Sequence, residues 1–205
     1  MKILELKPSQ RKKGRFLVKL EDESVLRVTE NELLRYDLSP GTELDGETLE
    51  ALAAEAKRSA AKTTAANIIG SRALSKKQLT DRLIQKGAEA ADAQEAADWL
   101  EELGAVDDQS YAAALARHYA RKGCGPARVR EELRRRGIDR SLWEEALEEL
   151  PDPADTLDAL IQKKCRGDLS DRRELKRVSD FLLRRGFRWE DIKAALRRYT
   201  ELQED

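Results

Sequence analysis

The chain has 205 residues, with 39 Lys and Arg against 40 Asp and Glu, a formal net charge of -1, and only 5% aromatic residues. That length admits one or two ordinary domains, but with 39% of residues charged the composition favours several small helical units packed by leucine and alanine over one thick core. No apolar run reaches the roughly 18 residues of a membrane span, and Met1-Lys2-Ile3-Leu4-Glu5 lacks the pattern of a secretory signal, so the expected location is cytoplasmic.

Residues 1–45 read as a small β-rich module. Ile3, Leu4 and Leu6, then Phe16 to Leu20, then Val25 to Val28 are short strand-like runs separated by Lys-rich and Glu-Asp turn segments, which predicts a small antiparallel sheet. Two or three strands are marginal in water, so the module is expected to lean on a helix. Thr29 to Glu32 offers a cap for a short helix stopped by Ser39-Pro40-Gly41, and Asp45 or Gly46 then opens a long, alanine-rich connecting helix over residues 46–64.

From there the chain repeats itself. Leu79, Leu83 and Gly87 have the same spacing as Val129, Leu133 and Gly137, and as Val178, Leu182 and Gly186. Apolar residues four apart share a helical face, and a glycine four beyond suits the left-handed end of a helix. The match runs on without a gap: Ala93, Trp143 and Ile192 correspond, as do Ala96, Ala146 and Ala195, and Leu100, Leu150 and Tyr199. A period near 50 residues of this kind marks tandem structural units. The prediction is a mainly α protein: three tandem three-helix repeats in an elongated array, over residues 65–106, 107–151 and 152–205, preceded by the antiparallel β module.

Local signals place the helices. Ser75 to Gln78 and Ser141 to Glu144 are read as capping boxes, Asp107 or Asp108 as the cap of the second repeat, and Asp152-Pro153 as that of the third. Gly123-Cys124-Gly125 breaks a helix, and Pro126 opens the next where a missing amide hydrogen is harmless. Tyr111, Leu115, His118 and Tyr119 are expected to form the seam of the helix before that break, with His118 in a core or interface role.

No reaction centre emerges. The sequence has one histidine, no cysteine-histidine cluster and no phosphate-binding glycine loop, so an enzyme, a metal site and a cofactor are not expected. Cys124 and Cys165 lack partner spacing and are expected as reduced thiols. Trp143 is expected in the core, Trp99 and Trp189 partly exposed, and none forms a stacking platform for bases.

The charges are segregated along the chain. Residues 57–87 hold eight bases and one acid, residues 89–108 eight acids and no base, and the alternation recurs further on. In the second repeat, Arg128, Glu131, Glu132, Arg135 and Arg136 have the spacing of ordinary surface ion pairs. Against that, Arg130 and Arg134 are like charges four apart, and Arg117, Arg121, Lys122 and Arg140 have few local acids to meet. A positive surplus there would want an anionic partner.

With the repeats aligned, the chain resembles the regulatory protein RecX family. The resemblance is carried by Ser75-Lys76-Lys77-Gln78-Leu79 with Lys86-Gly87, by Leu103 to Asp108 running into Tyr111-Ala112, by Gly125 to Leu133 with Gly137-Ile138, and by Leu182 to Phe187. One departure is Ala88, where a bulkier residue is usual, so the core of the first repeat is expected to be less tightly packed. The resemblance implies a cytosolic partner of the RecA recombinase that binds the RecA filament on DNA and limits its ATPase, strand exchange and extension; with no reaction centre in the residues, a non-enzymatic modulator is expected, and a monomer. The expected contacting surface is Arg117, Arg121, Lys122, Arg128, Arg130, Arg134, Arg135 and Arg136, with Lys163, Lys164, Arg184 and Arg185 secondary. The competing reading is a direct DNA- or RNA-binding protein, because a three-helix unit with a basic second helix also resembles a helix-turn-helix. Acids interleaved at Glu131-Glu132 make a continuous phosphate track less favourable.

Overall fold

A computed structural model describes residues 1–10 and 14–204. The lysines of the first turn segment, at 12 and 13, therefore lie outside the described residues. The chain divides into two compact units, Met1–Arg72 with Leu79–Val106, and Ala73–Gln78 with Asp107–Asp205.

The first unit opens with strands β1 (Ile3–Pro8), β2 (Arg15–Leu20) and β3 (Val25–Thr29), antiparallel in the order β1-β2-β3. Alternation puts Val18, Leu20 and Val28 on one face, where they are buried with Ile3, Leu38 and Leu44. Leu52 and Ala56 complete this core from the long helix α2 (Gly46–Ile69), so the sheet does lean on a helix. Thr29 and Glu32 cap the short helix α1 (Glu30–Arg35) reciprocally, and Asp45 caps α2. The helix α1 ends at Arg35, before Ser39, through a left-handed Asp37 with φ of 47°.

Beyond Ala56 the same helix α2 turns its alanines to α3 (Lys76–Gln85) and α4 (Ala90–Glu102). Ala61, Ala65, Leu83, Ala93, Ala96 and Ala97 are all buried. Such small side chains let the backbones of packed helices approach closely. Next to them Ala88 borders an open pocket of about 220 Å³ lined by Leu83, Ala60, Ala61 and Thr64 together with the charged Lys57, Lys86, Glu89 and Asp92.

The second unit holds α5 (Asp108–Arg121), α6 (Pro126–Arg135), a single 3₁₀ turn (Arg140–Leu142) and α7 (Trp143–Leu147). It continues with α8 (Pro153–Lys164), α9 (Arg172–Arg184) and α10 (Trp189–Glu204). The repeat register holds at the two apolar positions of the middle helices and at the glycines, while in the later sets Trp143, Leu150 and Tyr199 are half-buried where Ala93, Ile192 and Leu100 are buried. Leu79, Val129 and Val178 are fully buried, as are Leu83, Leu133 and Leu182, and Gly87, Gly137 and Gly186 have φ of 91°, 68° and 88°.

Two local expectations are corrected. Ser141 does not begin a capping box; Asp139 is the cap, accepting from Ser141 N–H at 2.8 Å and Ser141 Oγ at 2.6 Å, and the helix enters through a 3₁₀ turn. The Asp139 carboxylate, two residues upstream, takes both the amide and the hydroxyl of Ser141, so that hydroxyl is engaged as a donor. His118 leaves the seam and is exposed, its ring edge-on to Tyr119 at 5.4 Å. The buried stripe is Ala112, Leu115 and Ala116, one helical step round from the Tyr111-Leu115-His118 line. Trp143 is half-buried against this core and donates Nε1–H to the Ile138 carbonyl at 3.1 Å.

Candidate functional site

The middle helices of successive repeats are joined by one recurring device. Ser75 Oγ donates to the Arg136 carbonyl at 2.5 Å, and at the equivalent place, some 50 residues on, Gly125 N–H donates to the Arg185 carbonyl at 2.8 Å. Ala127 N–H adds a bond to the Gly186 carbonyl at 3.1 Å. A side-chain hydroxyl at the helix start in the first case, and two backbone amides in the second, meet the carbonyls at the end of the next repeat's middle helix, so carbonyls that a helix end leaves without a partner are satisfied. The approach is close enough to demand glycine: a Cβ on Gly125 would stand 2.6 Å from the Gly186 carbonyl oxygen, and one on Gly186 would strike the Arg128 backbone.

Beside this junction lies a cluster built around Glu132. Its side chain is only 3% exposed, whereas that of Glu131 is 54% exposed, although the two read alike in sequence. Arg128 reaches it at 3.1 Å, Arg135 at 2.7 Å and Arg136 at 3.8 Å. Burial pushes the Glu132 carboxyl up, but the hydrogen bond and charge of Arg135, the Tyr119 hydroxyl and the charge of Arg128 outweigh it and hold the group below the usual range. Arg136 also donates to Tyr111 Oη, whose ring lies 5.7 Å under the guanidinium, and Tyr111 donates to Gln78 Oε1 at 3.2 Å.

The equivalent of Glu132 in the third repeat is Phe181. There the anionic centre is replaced by a ring face, with Arg185 4.7 Å and Lys164 5.0 Å from its centroid. Arg185 reaches back to the Lys122 carbonyl, and to the Gly123 carbonyl at 3.0 Å, so it fastens the third repeat to the second.

The twelve cations expected at a contacting surface therefore divide. Arg128, Arg135 and Arg136 serve Glu132, and Arg185 serves the junction. Arg130 meets Glu144 at 3.3 Å, and Arg117 of α5, for which few local acids were expected, meets Glu149 in the turn after α7 at 2.9 Å. Lys122 lies 5.6 Å from the Tyr119 ring centroid. Arg121, Arg134, Lys163 and Arg184 are exposed and have no acid partner among the described residues. Sequence reasoning missed Glu132 as an anchor and Phe181 as its counterpart. The available signal was that Glu132 sits next to the seam residue Leu133 with arginines four residues away on both sides.

Charge segregation in the sequence has a plain structural use. Lys57 meets Glu89, the N-cap of α4, at 2.6 Å and Lys62 meets Glu95 at 2.7 Å, so the basic second half of α2 pairs with the acidic helix that packs on it. Among the described residues no group of three or more His, Cys, Asp or Glu could hold a metal ion, and no helix is long and apolar enough to cross a membrane.

Comparison with known proteins bears on the same repeats. The model of the second three-helix domain of RecX matches residues 107–147, and that of the third three-helix domain matches residues 152–196. The chain is 36% identical over 123 residues to the regulatory protein RecX of Pseudomonas syringae pv. tomato, covering 59% of this chain and 79% of that protein. It is 23% identical over 201 residues to that of Clostridium tetani, covering 95% and 93%. Its fold is that of a crystal structure of regulatory protein RecX, with a TM-score of 0.74 at 23% identity over 95% of this chain and 98% of the other. RecX from Lactobacillus salivarius gives 0.62 at 20% identity over 71% and 97%. The junction glycines and buried seam leucines thus lie within repeats that the RecX domain models recognise by sequence, and the chain belongs to the RecX family of regulatory proteins.

Proposed function

We propose that the chain is a non-enzymatic, cytoplasmic modulator of the RecA recombinase. It acts as a monomer that binds the RecA filament on DNA and limits ATPase activity, strand exchange and extension. The observation that carries the contacting surface is the partition of cations in the second unit. Arg121, Arg134, Lys163 and Arg184 are exposed without an internal acid, while the neighbouring arginines are spent on Glu132 and on the repeat junction. Unpaired surface cations retain their field for an anionic partner, whereas paired ones contribute little at a distance.

The test is RecA ATPase on single-stranded DNA with increasing protein. Inhibition that saturates, and that weakens about tenfold in R121E/R134E with the fold retained, is the expected result. Full RecA activity at saturating protein would overturn the reading. Tight, sequence-selective duplex binding without RecA in a gel-shift titration over salt would favour the helix-turn-helix alternative instead.

A further inference from the structure

The outer side of the sheet forms a cleft that neither the repeat junctions nor the Glu132 cluster uses. In the antiparallel register Lys7 pairs with Leu17, and Leu17 with Arg27, while Arg15 pairs with Thr29. Paired residues point to the same side, so Lys7, Arg15, Leu17 and Arg27 share the face opposite the one that buries Val18 and Val28. Arg15 crosses to α2, donating to the Ser59 carbonyl at 3.0 Å and to Thr63 Oγ1 at 2.7 Å. Below it Arg27, Leu17, Ala60, Lys86 and Gly87 help to enclose a cavity of about 570 Å³.

The electrostatics of this cleft are one-sided. Among the described residues its lining contains the cations Arg15, Arg27 and Lys86 and no carboxylate. Glu5 on β1 is engaged with Lys7 at 2.6 Å, and Glu89, just after Gly87 in the chain, with Lys57 at 2.6 Å. Arg27 and Lys86 are exposed and have no acid partner among the described residues. Nor do the carbonyls at the end of α3 neutralise them: Ile84 and Leu83 accept from the amides of Gly87 at 2.9 Å and Ala88 at 3.1 Å.

We propose that this cleft binds the phosphodiester backbone of a single-stranded nucleic acid. Arg27 and Lys86 each take a phosphate, Arg15 is a fixed charge held by α2, and Leu17 with Ala60 gives an apolar floor for a sugar or base. A single strand fits because the cavity has the size of a small-ligand pocket rather than that of a groove that accepts a duplex. Binding without aromatic stacking rests on charge, so it is steeply salt-dependent. The site lies wholly in the first unit and does not rest on the RecA reading, which concerns cations of the second.

The experiment is fluorescence anisotropy of a labelled oligothymidylate with the full chain over a range of salt. R27Q/K86Q should weaken binding at least about tenfold and flatten the log–log salt slope by about 1.4, at about 0.7 per phosphate contact. R27K/K86R should bind as the unaltered chain does, and both variants should keep its melting temperature. Unchanged affinity and slope in R27Q/K86Q would overturn the proposal, as would equal loss in the charge-conserving R27K/K86R. Displacement of the strand by tripolyphosphate at equal phosphate concentration would also overturn it, since the site would then be one for free anions. An oligouridylate arm separates the sources: equal binding assigns the site to either strand type, weaker binding to DNA. RecA ATPase inhibition by R27Q/K86Q is read separately, so failure of one proposal is distinguishable from failure of the other.

Discussion

Glu132 shows how a single buried charge is kept. Removing a carboxylate from among three arginines strands them, and breaking such a pair in a fully buried setting costs about 3–5 kcal/mol. Here the arginine side chains are 39%, 67% and 25% exposed, so water screens part of the loss. E132A is therefore expected to destabilise by about 2 kcal/mol, read by urea denaturation. Glu174 gives the acid limit. Its hydrogen bond from Arg177, with a second from the Arg166 amide, holds its pKa down from 4.5 to about 2. A depressed carboxyl contributes stability that is complete above its unfolded value and is lost as pH falls through the folded one, so the melting temperature should fall between pH 4.5 and about 2. E174Q should flatten that part of the profile. Ala88 borders the 220 Å³ pocket beside Leu83 and Ala61, so A88L should add apolar contact there and stabilise by about 0.5–2 kcal/mol in the same denaturation assay.

Between elements, the head-to-tail meeting of middle helices makes one backbone conformation serve two purposes. Gly87 and Gly186 both end a helix with positive φ, yet a Cβ on Gly87 meets nothing within 4 Å, whereas one on Gly186 would strike the Arg128 backbone. G87A should therefore cost only the left-handed penalty of about 1–2 kcal/mol. G186A should cost clearly more, since the backbone at the junction must also shift; guanidinium melts of the two variants test the difference. A cost for G186A no larger than for G87A would show that the junction is looser than the geometry describes.

Across the whole molecule, 39 basic and 40 acidic residues nearly cancel, and some of them pair between packed helices, as Lys62 of α2 does with Glu95 of α4. The pairs that do this are exposed, and an exposed pair contributes only about 0–1 kcal/mol. Lys57 and Glu89 illustrate it, with side chains 62% and 66% exposed. The swap K57E/E89K should leave the melting temperature within about 2 °C by calorimetry, and added salt should shift it little. The contribution of such pairing is to leave few cations free, which confines the field available to a partner to particular places on the surface.

The amino-acid sequence by itself determined the apolar period of the repeats, most of their helix starts, with Ser141 the exception, and the antiparallel sheet. These follow from periodicity, caps and glycine positions that act within a few residues of each other, as at Leu79, Val129 and Val178 or at Asp107 and Asp152. Tertiary structure alone decided which cations are spent. Arg117 finds Glu149, Arg185 finds the Lys122 and Gly123 carbonyls, and Glu132 turns inward while Glu131 stays outside. Such choices depend on how helices far apart in the chain are rotated against one another, and a long arginine side chain can satisfy itself on either side of its helix until that packing is fixed.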